Sequence, residues 1–121
     1  MSVKTYGGTG SDSGASVIIS SSGNIYLTSK FSNTVDFGNG IPITCKGGQD
    51  AALQKIDSDL NTQCVYTFGG TALEDHPYQA TISNTNYIYV TGNFMSTVDF
   101  GDGNPITSHG LADECVVKLS E

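Results

Sequence analysis

The sequence predicts an all-β chain made of two tandem copies of one antiparallel unit. Three observations predict it. First, the heptad Thr34-Val35-Asp36-Phe37-Gly38-Asn39-Gly40 returns 63 residues later as Thr97-Val98-Asp99-Phe100-Gly101-Asp102-Gly103. Second, 18 of the 40 positions from Ile19 to Ser58 are identical to their counterparts from Ile82 to Glu121 at that offset. A match this long marks a duplication. Third, only 14% of the 121 residues are charged, Trp is absent, and six Tyr and five Phe stand among many Gly, Ser and Thr. Such a mixture suits short strands joined by tight turns. Upstream the offset is 62, because Tyr6-Gly7-Gly8-Thr9 matches Phe68-Gly69-Gly70-Thr71. One residue is therefore inserted between Thr71 and Ile82, near His76-Pro77. The repeats cover about 1–61 and 62–121 of one domain.

Each element follows from local pattern. Val3 to Tyr6 is a short extended segment that stops at Gly7-Gly8. Ala15 to Ser20 is a strand rich in β-branched residues, and Ser21-Ser22-Gly23-Asn24 is a hairpin turn in which Gly and Asn tolerate positive φ. Asn24 to Phe31 is the next strand. A long loop then carries the heptad and Pro42. Asp50 to Asp57 is a third strand, Ser58-Asp59-Leu60-Asn61 a turn, and Cys64 to Phe68 a fourth strand. The second copy repeats the series with Gln79 to Ser83, Tyr87 to Phe94 and Glu114 to Leu119. No segment has a helical period.

Some strands are apolar on both faces, as in Val17-Ile18-Ile19, Ile25-Tyr26-Leu27 and Val116-Val117. Such a sheet must lie between other sheets. Small four-stranded sheets stacked face to face around an axis are the blades of a β-propeller. With strands lettered outward from the axis, the chain reads d-a-b-c-d-a-b-c: two four-stranded antiparallel blades, the ring completed by oligomerisation.

Four blocks in order also resemble the bacterial β-propeller repeat family known as SBBP. They are Gly-Gly-Thr-Gly-Ser-Asp at 7–12, Ser-Gly-Asn-Ile-Tyr-Leu-Thr at 22–28, Thr-Val-Asp-Phe-Gly at 34–38 and Gly-Gly-Gln-Asp-Ala-Ala-Leu-Gln-Lys-Ile-Asp at 47–57. The second copy departs at Leu73-Glu74-Asp75-His76-Pro77 and at Asn84-Thr85-Asn86. The resemblance implies secreted or surface-exposed bacterial proteins with a scaffold or binding role, and it implies no catalytic residue.

Propellers have about four to eight blades, so two cannot close a ring. A two-blade unit would leave an apolar sheet face bare at each end. The phase of the repeat suggests the remedy. Val3, Lys4, Thr5 and Tyr6 form a strand d without its blade, and the second blade lacks strand d beside Val116 and Val117. Exchange of that strand between chains satisfies both and covers the open edge. Head-to-tail contacts of this kind close by rotation or run on as a filament. Three copies, giving six blades, are favoured over four.

The net charge of −7 opposes binding to a phosphate backbone, which excludes nucleic acid as a partner. No apolar run approaches the roughly 20 residues of a membrane-spanning helix, and no leader pattern opens the chain. The compartment stays open. Cys45, Cys64 and Cys115 lack metal-ligand spacing, and their odd number argues against a disulfide framework. They read as small, mostly buried residues.

In an up-and-down blade, the d-to-a and b-to-c loops gather on one rim. That rim would hold Asp12, Asp36, Glu74, Asp75, His76, Asp99, Asp102 and His109, the candidate binding residues. Asp36 and Asp99 invite a calcium reading, but their surroundings lack the EF-hand ligand pattern. The alternative is that each Asp caps its own turn while the neighbouring Phe packs between blades. Glu74-Asp75-His76 with His109 could hold a metal or act as an acid–base pair, or could be a solvated loop. No nucleophile elbow and no phosphate loop occur. The tyrosines could stack on sugars or pack blades. The expected function is a non-catalytic, self-assembling scaffold or binding module for a glycan, peptide or protein, without cofactor. A purely structural propeller fragment or evolutionary intermediate with no ligand is second, and a metal-assisted hydrolase or lyase third.

Overall fold

The computed structural model of the chain describes residues 1–72 and 76–121. Among them no helix forms. The strands in order are β1 (Gly7–Gly8), β2 (Ser13–Ile19), β3 (Ile25–Phe31), β4 (Thr34–Asp36), β5 (Pro42–Thr44), β6 (Asp50–Ile56), β7 (Thr62–Gly70), β8 (His76–Ile82), β9 (Tyr87–Asp99) and β10 (Ile106–Ser120). All pairings are antiparallel.

A first half-sheet runs β2-β3-β6-β7, and a second runs β8-β9-β10. They join through β7. Its residues from Thr62 to Phe68 pair with β6, and its last two, Gly69 and Gly70, pair with Asp99 and Val98 of β9. The joined sheet curls strongly into a half-barrel. Curling brings Tyr26, Ala51, Leu53 and Phe68 of the first half against Ile88 and Val90 of the second, with Ile18, Ala80, Ile82, Val117 and Leu119 around them. The Ala80 N–H also donates to Ser16 Oγ across this junction at 2.9 Å.

Side chains alternate along a strand, so the opposite face of the first half-sheet carries Val17, Ile19, Ala52 and Val65. On it sits a second cluster of Phe31, Val35, Phe37 and Ala52, with Tyr6, Ile43, Cys45 and Val65 at its border. The opposite face of the second half-sheet carries Tyr89, Thr91, Val116 and Lys118. There the Lys118 ammonium lies 3.9 Å from the ring centre of Tyr87.

The structure corrects the expected long loop. The heptad is the turn of a hairpin in which β4 pairs with β5 at Thr34↔Thr44, Val35↔Ile43 and Asp36↔Pro42. The hairpin folds back over β6 and β7, where the Phe37 carbonyl accepts Gln54 Nε2–H at 2.9 Å and the Thr62 hydroxyl. In the second copy its arms merge into β9 and β10, so both strands are longer than expected. The fold-back starts at Asn33 (φ 57°) in one copy and Ser96 (φ 62°) in the other, both in the left-handed region.

The β2–β3 turn keeps its shape despite its changed sequence in the second copy. Gly23 has φ 85° and its counterpart Asn86 has φ 60°, and each donates its N–H to the serine three residues earlier. Asn is among the residues that best tolerate this region. The β6–β7 turn places Leu60 at φ 64°. A branched side chain is strained there by about 1–2 kcal/mol. Leu60→Asn is therefore expected to stabilise the fold by about 1 kcal/mol, seen as a higher urea midpoint with an unchanged slope.

Residues 1–6, expected as a strand, join no sheet within a single chain. Val3 is 76% exposed. Tyr6 is half-buried, and its hydroxyl donates to the Leu60 carbonyl at 2.9 Å.

Candidate binding groove beside β10

The expected site residues lie at the loop end, on the folded-back hairpins, and in a groove that the turn of the second hairpin enters. Asp12 stands at the loop end, half-buried, and ties two connections together. One carboxylate oxygen accepts the Gly8 N–H at 2.9 Å and the other the Ser32 N–H at 3.3 Å. His76 opens β8 and lines a small cavity with Phe68, Val90 and Phe94. Glu74 and Asp75 lie outside the described residues.

Asp36 and Asp99 sit on the folded-back hairpins, and Asp36 pairs with Gly7, the neighbour of the Gly8 that Asp12 holds. Asp36 Oδ1 accepts N–H groups of Gly38 and Gly40 at 2.8 and 3.1 Å, and Asp99 Oδ1 those of Gly101 and Gly103 at 2.8 and 3.2 Å. These bonds, Gly101 first, hold the Asp99 carboxyl below its ordinary range. The turn-capping reading is the one the geometry shows, in both copies. Phe37 packs edge-on to Phe31 at 5.3 Å, and Phe100 packs edge-on to Phe94 at 5.4 Å. Phe100 also reaches Phe68 of the other half-sheet at 6.2 Å.

Asp102 and His109 do come together. They line a groove of about 540 Å³ beside β10 together with the apolar Phe94, Phe100, Ile106 and Val117 and the charged Asp113, Glu114 and Lys118. Asp102 Oδ1 accepts the Asn104 N–H at 3.0 Å. One oxygen of Asp113 bonds both the backbone N–H of His109 (3.0 Å) and its ring Nδ1 (2.8 Å). That pairing lowers the Asp113 carboxyl, the ring contact most. No three His, Cys, Asp or Glu residues gather as a metal site among the described residues.

The groove exists because, among the described residues, β10 pairs only with β9. In the first half-sheet the equivalent space beside β6 is filled by β7, whose Val65 borders the Phe31–Phe37 cluster. The groove is thus the vacant lane of a fourth strand, with Asp102, Asp113 and Glu114 among its lining.

Sequence reasoning overlooked the glycine pairs as junction residues. A Cβ on Gly70 would stand 2.2 Å from the Thr97 carbonyl oxygen, and one on Gly8 would stand 2.1 Å from that of Thr34. Only glycine permits this approach. The double Gly-Gly at the same place in both copies was the available signal.

At the opposite end Glu121 caps the β2–β3 turn. Its Oε1 accepts from Ser22, Asn24 and Ser20, and these bonds, Ser22 first, lower the carboxyl to about 2. A carboxyl depressed by folding adds stability above its unfolded value of about 4.5, and this is lost as pH falls through about 2. Glu121→Gln should flatten the melting temperature against pH across that window, leaving the curve above it parallel to that of the parent.

Compared with protein-family models, curated proteins and solved structures, the chain matches none.

Proposed function

We propose that the chain is a non-catalytic β-propeller module that assembles with copies of itself and binds ligands through its loop end. Each half-sheet is then one blade, and a ring of three copies is favoured over four. One observation carries the reading: the two faces that meet inside the chain each have a bare counterpart. At the internal junction Tyr26 and Leu53 face Ala80 and Ile82. At the offset of 63, Tyr26 and Leu53 correspond to Tyr89 and Val116, and Ala80 and Ile82 to Val17 and Ile19. Val17, Ile19 and Val116 are 62%, 66% and 67% exposed. The bare face of the first half-sheet therefore fits the bare face of the second in another copy. Exposed apolar faces of this kind favour association.

Light scattering at micromolar concentration tests it. The expected mass is three times the 12.7 kDa of one chain, and a stable monomer overturns the proposal. A glycan or peptide array on the assembled protein tests the binding part. A signal that falls on His109→Ala supports a ligand at the loop end.

The purely structural reading also has an observation in its favour. Asp12, Asp36, Asp99, Asp102 and Asp113 already accept backbone N–H groups of their own chain. A silent array with an intact ring would select it.

A further inference from the structure

We infer that residues 2–6 of one copy fill the lane beside β10 of the next copy in a single register, with Val3 opposite Val117 and Thr5 opposite Cys115. This rests on the assembly proposed above and specifies its contact.

The argument starts from β7, which serves two half-sheets at once. It pairs with β6 and then hands Gly69-Gly70 to β9. β1 repeats only the second task. Gly7 and Gly8 pair with Asp36 and Val35, the counterparts of Asp99 and Val98. Tyr6, the counterpart of Phe68, packs at the Phe37 cluster as Phe68 packs on Phe100. The likeness runs further upstream, since Val3-Lys4-Thr5-Tyr6-Gly7-Gly8-Thr9 and Val65-Tyr66-Thr67-Phe68-Gly69-Gly70-Thr71 share five of seven residues. Residues 2–6 thus have the sequence and anchorage of a strand that has lost its sheet, and β10 has the sheet without the strand.

The strand cannot reach β10 of its own chain. β1 is fixed to β4, on the face of the first half-sheet that looks away from the second. A second copy is the occupant that brings both a matching strand and a matching face.

The internal ladder sets the register. Ala51 pairs with Phe68, Ala52 with Thr67, Leu53 with Tyr66 and Gln54 with Val65. Moved by one repeat, these become Glu114 with Tyr6, Cys115 with Thr5, Val116 with Lys4 and Val117 with Val3. Side chains alternate across a strand, so Val3 points to the face where Val65 sits. There it enters the wall of Phe94, Phe100, Cys115 and Val117 and fills the groove. Register is strongly set wherever one face is buried, because a slip of one residue turns every side chain over.

Directly opposed residues have Cα atoms about 4.5–5.5 Å apart, within disulfide reach. The test is Thr5→Cys in the 121-residue chain, oxidised after assembly and mapped by mass spectrometry. The expected result is covalent multimers whose linked peptides join the introduced thiol to Cys115. A second reporter, the pair Ser2→Cys and Lys118→Cys, should link in the same way and guards against a local folding fault in the first. Links to Cys45 or Cys64, or no link in either variant of an assembled protein, overturn the register and leave the assembly standing. A monomeric mass for the unaltered chain overturns both.

Discussion

Deletion of residues 1–6 is expected to yield a folded monomer. Within one chain these residues belong to no strand, Met1 is fully exposed and Val3 largely so. Their contacts with the rest of the chain are few: Tyr6 borders one cluster and bonds Leu60, and Lys4 Nζ reaches Asn61 Oδ1 at 3.3 Å. The half-sheets and their shared core involve neither end of this segment. Circular dichroism should therefore keep its β signature while the mass falls to that of one shortened chain, just below the 12.7 kDa of the full chain. Association stabilises by mass action, so the melting temperature should also fall and lose its dependence on protein concentration. An unchanged mass and melting point would refute the exchange. Val3→Asp should act in the same direction with a smaller disturbance, because in the proposed register it would set a charge against the groove wall of Phe94, Phe100 and Val117.

Gly70→Ala is expected to cost about 3 kcal/mol, at the upper end of what overpacking does. The obstacle is backbone: a methyl group would stand 2.2 Å from the Thr97 oxygen. Relief requires parting β7 from β9, the ladder that joins the half-sheets, and with it the docking of Phe68 against Phe100. Gly8→Ala meets the same obstacle at Thr34. There the released piece is only residues 1–8, so the chain should stay folded and lose its assembly. Urea unfolding separates the pair. A large shift of midpoint is expected for Gly70→Ala and a small one for Gly8→Ala, with the mass reduced in the latter. Equal shifts would mean that β1 is not the counterpart of the end of β7.

Much of this architecture is legible in the sequence because the repeat shows itself in residues that cannot easily change. The matched aromatics Phe31 and Phe94 pack on Phe37 and Phe100 in the same edge-on way. The Asp of each heptad caps its turn, as that reading of the repeat required. The fold-back of the hairpins was hidden. It depends on positive φ at Asn33 and Ser96, where no glycine announces it. The stretch from Thr34 to Thr44, dense in Gly and Pro, therefore reads as loop although it is paired.

The divided strand β7 also bears on how the molecule forms. Its contacts with β6 are local and close early, because hairpin neighbours pay little loop entropy. Gly69 and Gly70 must wait for β9, so the completed first half acts as a template on which the later strands condense.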